Sequence, residues 1–365
     1  MTTHPNFATR LLTWFDTQGR KHLPWQGSND PYPIWLSEIM LQQTQVSTVI
    51  PYYQRFIQRF PQLPDLAAAP IDEVLHHWAG LGYYARAHHL HRCAQQVRDH
   101  YQGEFPVEDL EALKALPGIG PSTAAAVQAF TTGKRAVILD GNVKRVMARH
   151  AAIHGWPGQT QVNKQLWRAA DHRTPHQRVA DYTQAIMDLG ALVCTRSRPQ
   201  CDVCPVATDC QANRQQLTDQ LPSPRPKKNR PIRLSHCLLL HTADEHYLLL
   251  QRPSPGIWAG LWTLPEQETK TQLQHWHSQA LPDHQLTLHE GQKLSHAFTH
   301  FEWQAQLWLA SLPCRHTELG EMTKPDWLWY NPKQAPKLGL PAPIQRLFML
   351  SHHGQAPLTL DEENP

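Results

Sequence analysis

No apolar run in this 365-residue chain approaches the ~18–20 residues that a bilayer-spanning helix needs, which excludes such a helix. The opening residues, Met1-Thr-Thr-His-Pro-Asn-Phe7, lack a basic patch followed by an apolar stretch, so no secretory leader is expected. Cysteine is scarce and odd in number, at seven; without an export signal, that argues against a disulfide framework. A cytoplasmic location is expected. Neither sign of charge dominates, with 34 Lys+Arg against 31 Asp+Glu, and a net charge of +3 does not by itself name an acidic partner. Charged residues make up 18% and hydrophobic residues 41%, a balance that excludes a disordered polymer. What is abundant is proline (31), histidine (24) and tryptophan (13); the histidines are scattered, and their spacing singles out no site. The length suits two domains.

Residues 1–220 read as helices. Apolar residues recur at helical spacing in Phe7-Leu11-Leu12-Phe15, from Ile34 to Ile50 and from Val179 to Leu192. Short connections carry Pro61, Pro64, Pro70, Gly80, Gly82, Pro106 and Gly133. Residues 221–233, with four prolines, five basic residues and no acid, form an extended cationic linker. Beyond it, residues 234–365 hold strand-like runs at Ser235–Leu240, Tyr247–Gln251, Ile257–Leu264 and Glu302–Ala310, with helices expected around Glu268–Gln279 and Pro343–Leu350. The expected architecture is multi-domain: an all-α domain, a tether and a smaller α+β domain.

Cys194, Cys201, Cys204 and Cys210 fall within 17 residues in the pattern C-x6-C-x2-C-x5-C, while Cys93, Cys237 and Cys314 are scattered. Four thiolates in one short loop suit a tetrahedral zinc site or a cubane iron–sulfur cluster. Zinc loops usually pair CxxC with CxxC; this spacing, over residues 194–210, is similar instead to the [4Fe–4S] loop of the endonuclease III superfamily. Arg196 and Arg198 lie between the first two cysteines, as phosphate contacts or as a solvated basic loop.

Leu116-Pro-Gly-Ile-Gly120 predicts a tight turn between a helix ending near Ala115 and one starting near Pro121. Gly118 and Gly120 permit positive φ there, and the next helix start adds unpaired N–H donors, an anion site suited to a phosphate. Lys134, Arg135, Lys144, Arg145 and Arg149 follow, with Asp140 the sole acid among them. An Asp before Gly-Asn is an ordinary helix cap. The alternative is a carboxylate beside a cationic surface, facing a developing positive charge. Lys144 is placed either to meet a phosphate or to pair with Asp140.

Upstream, Glu38, Gln42 and Gln45 fall at i, i+4 and i+7, a polar stripe on an apolar helix. Solvent exposure explains such a stripe; so does a pocket that stacks and hydrogen-bonds a base, with Trp25 near in sequence. Leu81-Gly-Tyr-Tyr-Ala-Arg86 is either a packed corner or a wedge for a duplex.

Together SEIMLQQTQV, LGYYARA, LPGIGPSTA, ILDGNVKR, MDLGALVCTR and the cysteine loop resemble the A/G-specific (MutY-type) adenine DNA glycosylases of the helix–hairpin–helix, endonuclease III superfamily. The resemblance implies an enzyme of base excision repair that hydrolyses the N-glycosidic bond of adenine mispaired with 8-oxoguanine or G in duplex DNA. It further implies that the protein carries a [4Fe–4S] cluster, and that it is a monomer found near the bacterial nucleoid. By the same resemblance Glu38 protonates the leaving adenine and Asp140 stabilises the C1′ cation. Leu23, Trp25, Gln184 and Ser122 line the adenine pocket, and Gln43 and Tyr83 fill the gap in the duplex. Gly118, Gly120 and Lys144 contact DNA. Ser122 stands where bifunctional relatives carry a catalytic lysine, so strand cleavage should be weak or absent.

Gly260-x5-Glu266 matches the opening of a Nudix box, but residues 274–282 hold no acid, so the Mg²⁺ carboxylates of a pyrophosphatase are missing. The resemblance assigns this domain to 8-oxoguanine recognition through Phe298, Thr299 and His300, with Thr299 where relatives commonly carry Ser. Competing readings are a pyrimidine-lesion glycosylase/lyase, a redox-responsive DNA-binding regulator and a nucleotide pyrophosphatase. Ser122 argues against the first, the pair Glu38 and Asp140 against the second, and the missing acids against the third.

Overall fold

In a computed structural model, residues 6–226, 229–316, 324–334 and 338–352 are described, with the backbone alone at 350–352. The chain divides into two compact units, Met1–Ala68 with His89–Lys227, and Ala69–His88 with Lys228–Pro365. The second unit thus includes residues 69–88, which the expected boundaries placed in the helical domain. Within that unit Gln251 donates to Asp72 (3.1 Å), His88 meets the Ala259 carbonyl (2.8 Å), and Gly339 lies against Leu75. These contacts are far apart in sequence, which is why no local pattern announces them.

The helices are α1 (Phe7–Gln18), α2 (Pro31–Leu41), α3 (Val46–Arg59), α4 (Leu63–Ala68), α5 (Ile71–Trp78), α6 (Ala85–His100), α7 (Leu110–Ala115), α8 (Pro121–Thr132), α9 (Gly141–His150), α10 (Thr160–Arg173), α11 (Val179–Asp188) and α12 (Gln211–Arg214). No strand forms among the described residues of the first unit. Helices α2 and α8 pack on one another and are buried nearly all round, the position an apolar helix without a polar face must take. Asp30 starts α2 by accepting the Tyr32 N–H, with Pro31 preset for the first turn. Alanines 124–126 of α8 let its neighbours approach closely. A core of Leu11, Phe15, Met147, Leu166, Tyr182 and Ile186 joins α1, α9, α10 and α11. Helix α11 runs on into a π-helical turn, Leu189–Val193, where Gly190 lies against Asn142; a Cβ at Gly190 would come 2.6 Å from the Asn142 Cβ.

In the second unit β1 (Ile232–Thr242), β2 (Tyr247–Gln251), β3 (Trp262–Thr263), β4 (Glu266–Gln267), β5 (His289–Ala297), β6 (Glu302–Leu312) and β7 (Trp327–Tyr330) build one mixed sheet. The order is β3-β2-β1-β6-β5, with β4 on β1 and β7 on β2; β1 and β6 run parallel and the other pairs antiparallel. Helix α13 (Lys270–Ala280) opens with a capping box, in which the Thr269 hydroxyl accepts the Gln272 N–H and the Gln272 side chain accepts the Thr269 N–H. Leu273 of this helix joins Leu238, Leu240, Leu248 and Trp308 in the core, and α14 (Ala342–His352) ends the described chain. The run Ile257–Leu264 was expected as a strand; only Trp262 and Thr263 are, because Trp258 and Gly260 sit at positive φ and turn the chain. Strands β4, β5 and β7 were not foreseen. No helix among the described residues is long and apolar enough to cross a membrane.

Candidate active site

A cavity of about 530 Å³ opens in the first unit, walled by Trp25, Ile34, Glu38, Phe130, Arg178 and Gln184 among others. The expected polar stripe does not form, because α2 ends at Leu41 and Gln42–Thr44 turn the chain. Glu38 alone of the three faces the cavity; Gln45 caps α3, and the Gln42 amide lies 3.3 Å from the Thr123 hydroxyl. Trp25 is buried with its ring edge-on to Tyr53 at 5.2 Å. Leu23 lies outside the wall and holds the loop beneath it, its N–H donating to Gln26 Oε1 and its carbonyl accepting the Gln26 N–H, both at 2.9 Å.

Burial pushes the Glu38 carboxyl up to about 8, and the negative charge of Asp140 adds to the rise. Asp140 is the N-cap of α9, its Oδ1 accepting the Val143 N–H at 2.7 Å. Burial raises Asp140 as well, where a plain ionised carboxylate was expected. There the Val143 N–H, Arg145, the Asn142 N–H and Lys144 all oppose the rise. The two carboxyls thus feel each other in unlike surroundings. Donors and cations face Asp140, and none of the described residues donates to Glu38, so the surroundings favour the charged form at Asp140 more than at Glu38. Ser122 is not on the cavity wall; its Oγ accepts the Leu139 N–H (3.1 Å) and fixes the chain one residue before Asp140.

The hairpin turn joins α7 to α8 where the spacing predicted. Leu116 and Ile119 are buried and anchor it, leaving Gly118 exposed. Gly118 has φ +77°, and a Cβ there would come 2.8 Å from the His89 Cβ. Gly120 does not use positive φ; it is an ordinary N-cap at φ −83°, with open space where a Cβ would stand. Gln43 (φ +59°) and Tyr83 (φ +50°) hold the left-handed conformation without being glycine, each exposed, Tyr83 by 49%.

Four of the five basic residues after the hairpin are committed within the protein. Lys134 pairs with Glu108, and Arg135 with Asp171 at 2.8 Å. Arg145 donates to the carbonyls of Cys194 and Gly190. Arg149, 2% exposed, donates to the carbonyls of Leu221, Thr195 and Arg196 and, at 3.3 Å, to Cys194 Sγ. Lys144 forms no ion pair among the described residues. All four cysteines line one small cavity with Arg149. Among the described residues no three of their sulfurs lie mutually within 4.8 Å. Arg196 and Arg198 are exposed on that loop.

In the second unit a cavity of about 570 Å³ is lined by Arg252, Trp258, Glu266, Phe298, Phe301 and Trp303 among others. Phe298 stacks on Phe301 at 4.6 Å and meets Trp258 at 5.1 Å, while Thr299 and His300 are exposed. Glu266 is engaged by Arg252 and by the Trp303 indole N–H, each at 2.6 Å. Helix α13 carries no acid beside it.

Residues 36–172 match the HhH-GPD superfamily of base excision DNA repair proteins, and residues 236–350 match the NUDIX domain. The adenine DNA glycosylase of Buchnera aphidicola subsp. Acyrthosiphon pisum is 33% identical over 345 residues, covering 94% of this chain and 96% of that one. That of Mus musculus is 34% identical over 366 residues, covering 84% and 70%. A thermostable thymine-DNA glycosylase superposes with a TM-score of 0.52 at 29% identity, over 57% of this chain and 95% of that one. The chain belongs to the adenine DNA glycosylase family.

It is therefore a DNA N-glycosylase of base excision repair, a helix–hairpin–helix domain followed by a Nudix-like domain. The sequence reading of this glycosylase missed the supports of its site. Asp188, wholly buried, accepts from Arg20 and from Gln184. Asp188 falls four residues after Gln184, a helical spacing that could have linked them; nothing local marks Arg20. Arg149 was expected within a cationic surface around Asp140; it lies in the last turn of α9, next to buried Met147 and Ala148, and is itself buried.

Proposed function

We propose that this glycosylase excises adenine opposite 8-oxoguanine or G by acid-assisted hydrolysis, with Glu38 as proton donor and Asp140 as the anionic partner of the sugar cation. The observation that carries the reading is Glu38, its carboxyl raised by burial, on the wall of a 530 Å³ cavity and within electrostatic reach of the capped Asp140, which lies off that wall. An N-glycosidic bond to adenine breaks when N7 accepts a proton and the oxocarbenium-like sugar is met by negative charge. Glu38 supplies the first, and Asp140, with donors and cations that favour its charged form, the second. Ser122 Oγ, committed to Leu139, offers no amine for a Schiff base, which agrees with a monofunctional enzyme.

Adenine must leave the stack to reach the cavity, at a cost of a few kcal/mol that is smallest at a mispair. Trp25 and Gln184 receive it, Leu23 and Ser122 supporting the wall from behind. Gln43 and Tyr83, exposed and backbone-strained, enter the gap left in the duplex. Gly118, Gly120 and Lys144 hold phosphate at the hairpin. Phe298, Thr299 and His300 read the opposing 8-oxoguanine.

The four cysteines fit a [4Fe–4S] cluster better than a single ion. Zinc–sulfur bonds of about 2.3 Å put all four sulfurs ~3.8 Å apart, whereas among the described residues no three of these sulfurs lie mutually within 4.8 Å. When bound, the cluster supplies four iron–thiolate bonds that cross-link the loop. Base release from duplexes carrying A opposite 8-oxoguanine, G, C and T tests the reading, with Glu38→Gln and Asp140→Asn as controls that bind DNA without releasing base. Normal turnover by either variant removes its role, and equal release opposite all four bases removes the specificity.

A further inference from the structure

The turn between β1 and β2 gathers side chains that the glycosylase chemistry does not use. Asp244 and His246 stand on this turn, and His316 follows β6. One ligand atom from each lies within 4.8 Å of the others. Asp244 Oδ2 is 2.5 Å from His316 Nδ1 and 3.3 Å from His246 Nδ1. The two imidazoles stack with centroids 3.6 Å apart and planes 20° apart. The side chains are 26%, 12% and 35% exposed for Asp244, His246 and His316, sheltered yet open to solvent.

The carboxylate is held in advance. Its Oδ1 accepts from the Thr242 hydroxyl (2.6 Å) and the His316 N–H (3.0 Å), which turns Oδ2 toward the imidazoles. A hairpin turn needs one such carboxylate, and a second ring stacked on the first adds nothing to capping it. Two imidazole nitrogens and a carboxylate oxygen gathered within 4.8 Å of one another are instead the three-residue ligand set of a zinc-type ion, once the stacked rings turn to aim both nitrogens at one point. Metal bonds of about 2.0–2.1 Å in a tetrahedron put neighbouring ligand atoms ~3.3 Å apart. The His246 edge already has that length, with His246 Nδ1 releasing the Asp244 carbonyl it meets at 3.0 Å, and the His316 edge reaches it when its side chain swings out by about 0.8 Å. The Thr242 hydroxyl on Oδ1 is the outer support such a ligand normally has.

We propose that Asp244, His246 and His316 bind one divalent transition-metal ion of zinc type, with water completing its shell, clamping the β1–β2 turn to the chain that follows β6. Nitrogen in two of three positions disfavours calcium and magnesium, which take oxygen.

The test uses the full chain with its iron in place, equilibrated with zinc and freed of loose ion on a desalting column. Elemental analysis is expected to find one zinc per chain more in the wild type than in His246→Ala or His316→Ala, with iron unchanged. The zinc X-ray absorption edge of the wild type alone is expected to report nitrogen and oxygen neighbours, a readout independent of whether the variants fold. Equal zinc in wild type and both variants overturns the site. So does a sulfur shell, which assigns the bound zinc to the cysteine loop.

Discussion

Gln184 Nε2 donates to Asp188 Oδ1 at 2.8 Å, one helical turn further along, so the orientation of the Gln184 amide is settled by a carboxylate that cannot itself donate. One of its two N–H groups is committed there, and the carbonyl Oε1 remains as an acceptor. An acceptor there suits the exocyclic amine of adenine and repels the 6-oxo group of guanine or hypoxanthine. Asp188 is in turn held by Arg20 through its backbone N–H, Nε and Nη2, at 2.5–2.8 Å.

Gln184→Leu is therefore expected to slow release of adenine about tenfold or more, while a purine lacking the 6-amino group is affected much less. Single-turnover rates on the two substrates decide this, and equal slowing of both would remove the contact. Asp188→Asn breaks a buried pair and is expected to cost about 2–3 kcal/mol of stability, read from denaturant unfolding.

The Glu38 proton sets a pH dependence. With Glu38 as the proposed donor, release needs the protonated carboxyl, so single-turnover rates should hold through neutrality and fall as pH rises through about 8. The stability sign is opposite to that of a salt-bridged acid. The folded group keeps its proton to about 8 while the unfolded one loses it near 4.5, so folding binds the extra proton between those values. Stability is lost over that window as pH rises, by a few kcal/mol at most. Glu38→Gln should accordingly melt higher than wild type at pH 8, with the difference vanishing near pH 4. A variant gain that is the same at both pH values would contradict the raised pKa.

Arg149 is the internal brace of the cysteine loop, with one guanidinium serving three carbonyls and a sulfur. Arg149→Ala leaves the buried Leu221 carbonyl without this donor, about 1–3 kcal/mol, and the three part-buried acceptors of the loop at a smaller cost. The expected result is loss of iron from the purified protein and weak DNA binding. Arg196→Ala, at an exposed position, should leave iron content unchanged and lower affinity only. Full iron in Arg149→Ala would show the loop to be held by its metal alone.

Much of this was legible because the informative residues are also local ones. The hairpin turn, Asp140 as an N-cap and the cysteine spacing are each specified within a few positions, and the structure puts α7, α8 and α9 where those signals say. The polar stripe failed because Gln43 turns the chain at positive φ, which its identity does not announce. Strand β7 was missed because its partner, β2, is distant in sequence; β5, although it forms a hairpin with β6, was missed because it is largely exposed and breaks alternation at a bulge between Glu290 and Lys293. The grouping of residues 69–88 with the second unit depends on partners beyond residue 250 and has no local signature.

That grouping bears on how the second unit is tested. Deleting residues 234–365 strips Leu75, Asp72 and His88 of their partners, so a loss of specificity after truncation would mix damage with recognition. Thr299 is exposed, and Thr299→Ala should leave the melting temperature unchanged. Its preference for A opposite 8-oxoguanine over A opposite G is expected to fall several-fold. An unchanged ratio, with Phe298→Ala equally silent, would take the loop out of lesion recognition.

The two hairpin glycines separate folding from binding. Gly118→Ala forces a side chain into φ +77° and a Cβ to 2.8 Å from the His89 Cβ, so the fold itself should lose more than about 1 kcal/mol. Gly120→Ala meets neither obstacle, since φ is −83° and nothing lies within 4 Å of the added Cβ. Only the weaker N-cap is lost, a cost of about 0.5–1 kcal/mol. If a phosphate approaches the Gly120 backbone, the same methyl group stands in its path, and DNA affinity should fall by far more than stability does. Fluorescence anisotropy against duplex length and salt, set beside denaturant melts of both variants, reads the two effects apart. A Gly120→Ala protein that binds duplex as tightly as wild type would move the phosphate contact away from the hairpin.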